Sequence, residues 1–512
     1  MVHRAMAWGG LLVLALVWSA PRVRAESPAP GCAPPPALLG DVSPGPGSAL
    51  PSSFVRIGET VYFVADDGVH GTELWKSDGT QAGTVLVKDI QLGPNGSRPN
   101  RLTRLGEMLL FLANDGVNGI ELWRSDGTKV GTVMVREIGE GPESGETTDI
   151  VTLGGRAWFT AGDHVTGREL WVTDGTFSGT TLVKDIHPGV ASSMVAGTLT
   201  VVGDRLFFGA DAPDHGIELW KSDGTAEGTV LVRDIATGTY SNANPRALTV
   251  VGDTLFFVAT DGTSGIDLWK SDGTEAGTVR VRDIFGRVSH PAPQNLRAVG
   301  GRLFFSLDDT VHGSELWTSD GTAEGTVMLA DLFAGSEGSR PSSFAAVGGV
   351  LYFAADDGLG GAELWKSDGT AVGTVRVRDI QPGSGGSSPR LLTAGGSLLF
   401  FVADDGTGAE LWRSDGTEEG TQQVMDLGAD ATVAGPGNLT FTGGVLYFAA
   451  DAGALGREPY SVFPKFFEDC SSPGTEPPGT GCGCVSGFAA DAPWLLLGVL
   501  APLMARRRRP TP

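Results

Sequence analysis

The sequence predicts an all-β fold, a β-propeller of four-stranded blades that an N-terminal strand closes into a ring. A unit of 47 to 49 residues recurs along the chain, and each unit holds four short segments of strand-like alternation separated by Gly, Asp and Pro. The ends of the repeat are complementary, because one strand precedes the first unit and the last unit lacks one. Eight complete units and one composite unit predict about nine blades. The alternative is an eight-bladed ring with a divergent unit packed outside it.

Residues 1–25 are predicted to be a signal peptide, so we expect an exported protein. His3 and Arg4 precede a short apolar stretch at 9–18, and residues 23–25 fit a signal-peptidase site. The apolar stretch is too short for a membrane anchor, which is the alternative. A Pro-rich leader at 26–36 leads to the predicted propeller at 37–464.

In the first unit we predict strands at 53–58, 61–65, 72–76 and 84–90. The single strand before it, at 38–42, corresponds to a fourth strand. The last unit supplies strands near 441, at 446–450 and at 458–462, but no fourth. Pairing the first strand with the last unit closes the ring and removes exposed sheet edges.

One tryptophan recurs in eight units, within a Glu-Leu-Trp triplet followed by Ser/Thr-Asp-Gly-Thr; Asp267 replaces the glutamate once. These tryptophans are Trp75, Trp123, Trp171, Trp220, Trp269, Trp317, Trp365 and Trp412. We interpret them as packing anchors between blades rather than a sugar-stacking ladder. The pattern resembles the ELWxxDGT repeat family, which is known mainly as a sequence pattern. That resemblance implies no activity and no catalytic residues.

Aspartates recur in the loop between the second and third strands of each unit. They include Asp66, Asp67, Asp115, Asp163, Asp211, Asp261, Asp308, Asp309, Asp356, Asp357, Asp404 and Asp405. Oxygen-only clusters suit Ca²⁺, so one interpretation is a weak Ca²⁺-binding rim; no other cofactor is predicted. The other interpretation is that these residues form turns and are solvated, since no loop carries an EF-hand ligand pattern.

After a linker at 465–481, the C-terminus at 482–512 has three parts. Cys482 and Cys484 precede a short apolar segment, and Arg506, Arg507, Arg508 and Arg509 follow it. A plain tail anchor is one interpretation, with the arginines in the cytoplasm. The layout also resembles the MYXO-CTERM sorting signal of myxobacterial surface proteins. That resemblance implies processing near a cysteine and anchoring at the cell surface or outer membrane.

Cys32 and Cys470 are predicted to form a disulfide that latches the ring. Cys32 precedes the first strand by a few residues, and Cys470 follows the last strand by a similar distance. Antiparallel pairing of those two strands brings the flanking segments together. Adventitious pairing, or none, is the alternative. The other two cysteines are left for the sorting signal.

Net charge and motif content limit the classes of function that the sequence allows. The net charge of −23 argues against nucleic-acid binding. No recognisable catalytic motif stands out, so the sequence predicts no enzyme. We expect a monomeric, surface-anchored binding, adhesion or structural module, with extracellular polysaccharide or a surface protein as partner and the membrane reached through the processed C-terminus. The alternatives are a glycan-active hydrolase or lyase built on the propeller and a purely structural coat protein.

Overall fold

The computed structural model describes residues 36–464, except 143–144, 146, 239–240, 284–290, 426–434 and 452. Within these residues the chain forms β-strands and one short 3-10 helix, Gly453–Leu455. No helix in this part of the chain is both long and apolar enough to cross a membrane. The predicted signal peptide, linker, sorting signal and Cys32–Cys470 bond lie outside the described residues and stay predictions.

The strands form nine antiparallel sheets of four, which confirms the predicted propeller of nine blades. The innermost strands are β2 (Ser52–Ile57), β6 (Asn100–Leu105), β10 (Ile150–Leu153), β14 (Thr200–Val202), β18 (Arg246–Val251), β22 (Gln294–Val299), β26 (Ser342–Val347), β30 (Arg390–Gly395) and β34 (Gly437–Thr442). The second strands are β3 (Thr60–Asp66), β7 (Met108–Asn114), β11 (Arg156–Gly162), β15 (Arg205–Ala212), β19 (Thr254–Thr260), β23 (Arg302–Asp308), β27 (Val350–Asp356), β31 (Leu398–Asp404) and β35 (Val445–Asp451).

The outer half of each blade is a second hairpin. The third strands are β4 (Thr72–Ser77), β8 (Ile120–Ser125), β12 (Arg168–Thr173), β16 (Gly216–Ser222), β20 (Ile266–Ser271), β24 (Ser314–Ser319), β28 (Ala362–Ser367), β32 (Ala409–Ser414) and β36 (Arg457–Val462). The outer strands are β5 (Val85–Lys88), β9 (Val133–Arg136), β13 (Thr181–Lys184), β17 (Val230–Arg233), β21 (Val279–Arg280), β25 (Val327–Ala330), β29 (Val375–Arg378), β33 (Gln422–Met425) and β1 (Ala37–Leu38).

The blades form a closed ring around an axis. Each innermost strand contacts the innermost strand of the next blade, and β34 of the ninth blade contacts β2 of the first. The N-terminal strand β1 pairs antiparallel with β36, with Ala37 opposite Ser461 and Leu38 opposite Tyr460. The sheet is therefore completed by the chain's first strand, as the complementary ends predict.

The closing strand is shorter than the predicted 38–42. The Leu39 amide still donates to the Pro459 carbonyl, at 2.9 Å. The Val42 amide instead donates to the buried Glu458 carboxylate, at 2.8 Å. The chain leaves the ladder after Leu39 because this carboxylate competes for the backbone donor. Outer strands such as β5 end early for a related reason, since Glu73 accepts from the Gln91 amide at 3.1 Å.

The hydrophobic core is divided into nine clusters, each formed between two neighbouring blades. The cluster between the first and second blades joins Ile57, Tyr62 and Leu74 to Phe111 and Trp123. The eight repeated tryptophans lie in such clusters, and each is between 4 and 8 % exposed. Burial of an aromatic side chain this large stabilises each blade-to-blade contact.

Basic side chains add a second, polar link between blades. The Lys88 ammonium donates to the Thr132 carbonyl of the next blade at 2.7 Å and lies over the Trp123 ring at 5.4 Å. The Lys76 ammonium donates to the Gly127 carbonyl, also in the next blade, at 2.8 Å. These contacts recur around the ring and hold neighbouring blades in fixed relation.

Candidate functional site

The innermost strands are free sheet edges that face the axis of the ring. Each is hydrogen-bonded to only one neighbour, the second strand of its own blade. Their side chains include exposed residues, among them Ser53, Asn100, Arg246 and Gln294. Water therefore reaches this part of the molecule, and the inner strands line an axial channel. Free backbone donors and acceptors on such an edge are available for pairing.

A β-bulge recurs at the start of seven inner strands. The second residue of each of these strands is not glycine, yet its φ lies between 53 and 57°. These residues are Ser53, Arg101, Ala247, Asn295, Ser343, Leu391 and Asn438. Left-handed conformations cost non-glycine residues roughly 1–2 kcal/mol, so the surrounding contacts must hold them.

Hydrogen bonds hold the bulges in place. The Asn438 amide donates to the Pro51 carbonyl of the next blade at 2.9 Å, and Asn295 does the same to Pro341 at 3.2 Å. The Thr103 hydroxyl donates to the Arg101 carbonyl at 2.9 Å. In strand β6 the register shifts between Asn100 and Thr103, so the bulge leaves its two intervening residues without partners on β7. Bulges of this kind re-aim side chains.

The inner strands carry only positive charge, although the chain has a net charge of −23. They contain six arginines and no aspartate or glutamate: Arg56, Arg101, Arg104, Arg246, Arg297 and Arg390. Two of these are neutralised at the far ends of their strands, Arg56 by Glu59 at 2.6 Å and Arg104 by Glu107 at 2.8 Å.

The other four arginines are exposed and make no ion pair or side-chain hydrogen bond within the described part of the chain. Arg101, Arg246 and Arg390 lie at the first or second position of their strands, and Arg297 lies at the fourth. We call the end of the channel where the inner strands begin the channel mouth. Three of the four, Arg101, Arg246 and Arg390, therefore lie at the channel mouth, on the same side of the ring as the aspartate-bearing loops between second and third strands.

A cavity of about 450 Å³ lies at the channel mouth, where the connection from the first blade enters the second. Its lining is Gln91, Asn95, Gly96, Ser97, Arg98, Asn100, Asn114 and Ile120. Four of these side chains are amides, one is a guanidinium and none is acidic. Asn114 stands where Asp66, Asp308 and Asp356 end the second strands of other blades. In the second blade an amide therefore replaces the carboxylate that recurs at this position, and the cavity lining contains no acid.

The aspartates predicted to form a Ca²⁺-binding rim lie in the loops between second and third strands. There they accept hydrogen bonds from backbone amides: Asp67 Oδ1 accepts from Val69 at 2.9 Å and from His70 at 2.7 Å. Asp115, Asp163, Asp261, Asp309 and Asp357 repeat this pattern. Asp66, Asp308, Asp356 and Asp404 each accept from the amide two residues on. Asp211 lies 3.6 Å from His187, and Asp405 accepts from Thr407.

These hydrogen bonds lower the pKa values of several loop aspartates. Partial burial raises the pKa of Asp67, but the hydrogen bonds from His70 and Val69 outweigh it and hold the pKa below its usual value. The same balance lowers the pKa of Asp261 to about 2, through bonds from Thr263 and Ser264. Among the described residues no three His, Cys, Asp or Glu side chains are grouped as metal ligands would be. Calcium binding stays a prediction.

Sequence reasoning missed the channel mouth. Its signal is present in the sequence, because Arg101, Arg246 and Arg390 stand at the start of inner strands that contain no acidic residue. The repeated Glu-Leu-Trp and Asp-Gly-Thr elements are more conspicuous, but their side chains serve packing and turns. The variable positions of the inner strands carry no motif, and the cavity brings residues of the connection at 91–98 together with the ends of three strands of the second blade.

The sequence matches no known protein-family model and no curated protein. Among solved structures, a puromycin hydrolase is 16% identical, with a TM-score of 0.39 over 82% of this chain and 62% of that one. A Mycobacterium tuberculosis puromycin-hydrolyzing peptidase is 12% identical, with a TM-score of 0.37 over 82% and 61%. A prolyl endopeptidase structure is 13% identical, with a TM-score of 0.37 over 62% and 49%. The chain spans about three fifths of the length of the puromycin-hydrolysing neighbours.

These neighbours correct the function predicted from the sequence. They are enzymes named for hydrolysing puromycin or peptides, whereas the sequence predicts an adhesion or structural module at a cell surface. The adhesion and structural interpretations are therefore not retained. At 12 to 16% identity the likeness is one of fold alone, so it assigns no catalytic residue and no substrate to this chain.

Proposed function

We propose that the protein is a rigid ring that selects soluble ligands at its channel mouth. The observation that supports this most directly is the set of exposed, unpaired side chains on strands that begin in a strained and repeated bulge. Residues held in sparsely populated backbone conformations are concentrated where a protein binds or reacts. Here seven of them encircle the axis.

Within each blade the repeated residues have structural partners, whereas the residues that begin the inner strands vary, and this contrast also supports the proposal. The repeated glutamate, tryptophan and Asp-Gly-Thr residues have structural partners: Glu73 bonds Ser97, Trp123 packs between blades, and Asp78 accepts from the Thr80 amide at 2.9 Å. The first residues of the inner strands differ from blade to blade, as in Ser52, Asn100, Arg246 and Gln294. A selective site in a symmetric ring requires such differences.

Blocking the channel mouth tests this function. The blocked variant carries N100W, Q294W and S342W, all at exposed first positions of inner strands. The probes are labelled hexapeptides of alternating Ala-Glu, Ala-Gln and Ala-Lys, together with labelled maltohexaose, and binding is followed by fluorescence anisotropy. We expect at least one probe to bind the native protein and to lose at least tenfold in affinity for the blocked variant.

The matched control carries three tryptophans on the opposite rim, Q81W, K129W and E324W, at exposed positions in the turns between third and outer strands. It should bind like the native protein. Equal binding to the native and blocked proteins, or binding of no probe, would show that the channel mouth is not a ligand site.

A further inference from the structure

We propose that the ligand taken at the channel mouth is an acidic peptide. This inference rests on the proposed function and names the ligand class for the same site. In it, Arg98 and Arg101 hold carboxylates, while the amides of the neighbouring cavity and the free edge of β6 hold the peptide backbone.

The charge beside the cavity favours an anionic ligand. Arg98 lines the cavity, Arg101 lies one residue beyond the cavity-lining Asn100, and both side chains are exposed. Neither makes an ion pair or a side-chain hydrogen bond within the described residues, whereas Arg104 on the same strand is paired with Glu107. A guanidinium stays charged and binds carboxylates through two parallel hydrogen bonds. Two unpaired guanidinium groups beside a cavity without acids favour an anionic ligand.

The backbone of β6 offers hydrogen-bonding groups that suit an extended peptide. This strand pairs with β7 alone, so its other edge offers unpaired amides and carbonyls to the channel. The bulge leaves Arg101 and Leu102 without register partners on β7, and of their carbonyls that of Arg101 already accepts from the Thr103 hydroxyl. An extended peptide uses such an edge by adding a strand to it. A polyphosphate has no N–H groups to pair with the free carbonyls.

The cavity lining is rich in amides. Gln91, Asn95, Asn100 and Asn114 contribute amide groups, although the Asn100 amide nitrogen already donates to the Arg98 carbonyl and the Asn114 amide oxygen already accepts from the Gly116 amide. This chemistry matches the peptide group, which has both a donor and an acceptor. The net charge of −23 for the whole chain disfavours long polyanions. The site therefore favours a short acidic segment over a nucleic acid.

The test compares matched peptides and matched arginines. Affinities for the Ala-Glu and Ala-Gln hexapeptides are measured by anisotropy on the full protein, at low and at physiological salt. We expect the Ala-Glu peptide to bind at least tenfold more tightly than its Ala-Gln counterpart at low salt. The variant R98Q/R101Q should lose that difference, whereas R104Q should keep it. Unchanged unfolding temperatures show that both variants remain folded.

The outcomes separate this inference from the function it rests on. If both peptides bind equally and the tryptophan-blocked variant binds neither, the channel mouth is a ligand site but charge selection is wrong. If the blocked variant binds the Ala-Glu peptide normally, both proposals fail. Tripolyphosphate is the third arm: displacement of the peptide at equal or lower concentration would overturn the peptide assignment in favour of a general oxyanion site.

Discussion

At the scale of single residues, the repeated acid of the third strand is the main polar support of the ring. Glu218 is fully buried and accepts from the backbone amides of Ile235, Ala236 and Ala243, at 2.8 to 3.2 Å. Equivalent glutamates bind the connection toward the next blade, and in four of them the Ser hydroxyl of that connection also donates, as Ser97 does to Glu73. A buried carboxylate therefore organises a loop that has no regular structure of its own.

These glutamates make stability depend on pH. Burial raises the pKa of Glu121, Glu169, Glu218 and Glu458 to about 7, against the opposing effect of their backbone hydrogen bonds. Because the folded state holds these protons more tightly than the unfolded state, the free energy of unfolding decreases as pH rises from about 4.5 to 7. Each group contributes a slope of at most about 1.4 kcal/mol per pH unit.

We therefore expect urea unfolding to show greater stability at pH 5 than at pH 7. The loop aspartates act in the opposite sense, since their lowered pKa values remove stability as pH falls below about 4.

The variant E218Q should lower the free energy of unfolding at pH 7 by about 1–3 kcal/mol, because an amide leaves one backbone donor unmatched. It should also make the free energy of unfolding depend less steeply on pH. The exposed E107Q is the control and should keep the native slope. Stability that rises steadily from pH 5 to 7 would contradict this assignment.

At the scale of elements, the short strand β1 holds the ninth blade to the N-terminus. Beyond its two ladder residues, Leu39, Val42 and Ala49 are almost fully buried in the cluster between the ninth and first blades. The Ala49 amide donates to the Arg457 carbonyl at 2.9 Å. The sequence predicts the position of this strand from the spacing of the repeat alone. It does not predict the early end of the strand, because the competing carboxylate of Glu458 comes from the opposite end of the chain.

Deleting residues 26–50 should lower the free energy of unfolding by at least about 3 kcal/mol, since several buried side chains leave the core and Glu458 loses its donor. The measurement is urea unfolding under reducing conditions, so that the predicted Cys32–Cys470 bond plays no part. A control that lacks only residues 26–35 keeps β1 and should unfold like the native protein. Equal stability of the two truncated proteins would show that β1 contributes nothing to the ring.

At the scale of the whole molecule, the repeat predicts more of the architecture than of the site. The spacing of the tryptophans predicts blade length, and the complementary ends predict closure, because both depend on local patterns that every blade shares. The cavity at Arg98 and Asn114 depends on how the connection before β6 folds against the second blade, and its selectivity depends on single departures from the repeat. Such departures have no local pattern, so only the assembled ring brings them together.

The axial channel exists only if the ring is closed, so every proposal about the channel mouth depends on ring closure. Ala37 of β1 and Ser461 of β36 are opposite each other in the ladder, and opposed residues of antiparallel strands lie within the reach of a disulfide. We predict that oxidised A37C/S461C forms this cross-link in non-reducing peptide maps and unfolds at a higher temperature than its reduced form. The control pair A37C/R413C uses the equivalent position of the preceding blade, where β33 occupies the edge, and should stay unlinked. If A37C and S461C do not cross-link, or cross-link no more often than the control pair, the closed nine-bladed ring is contradicted.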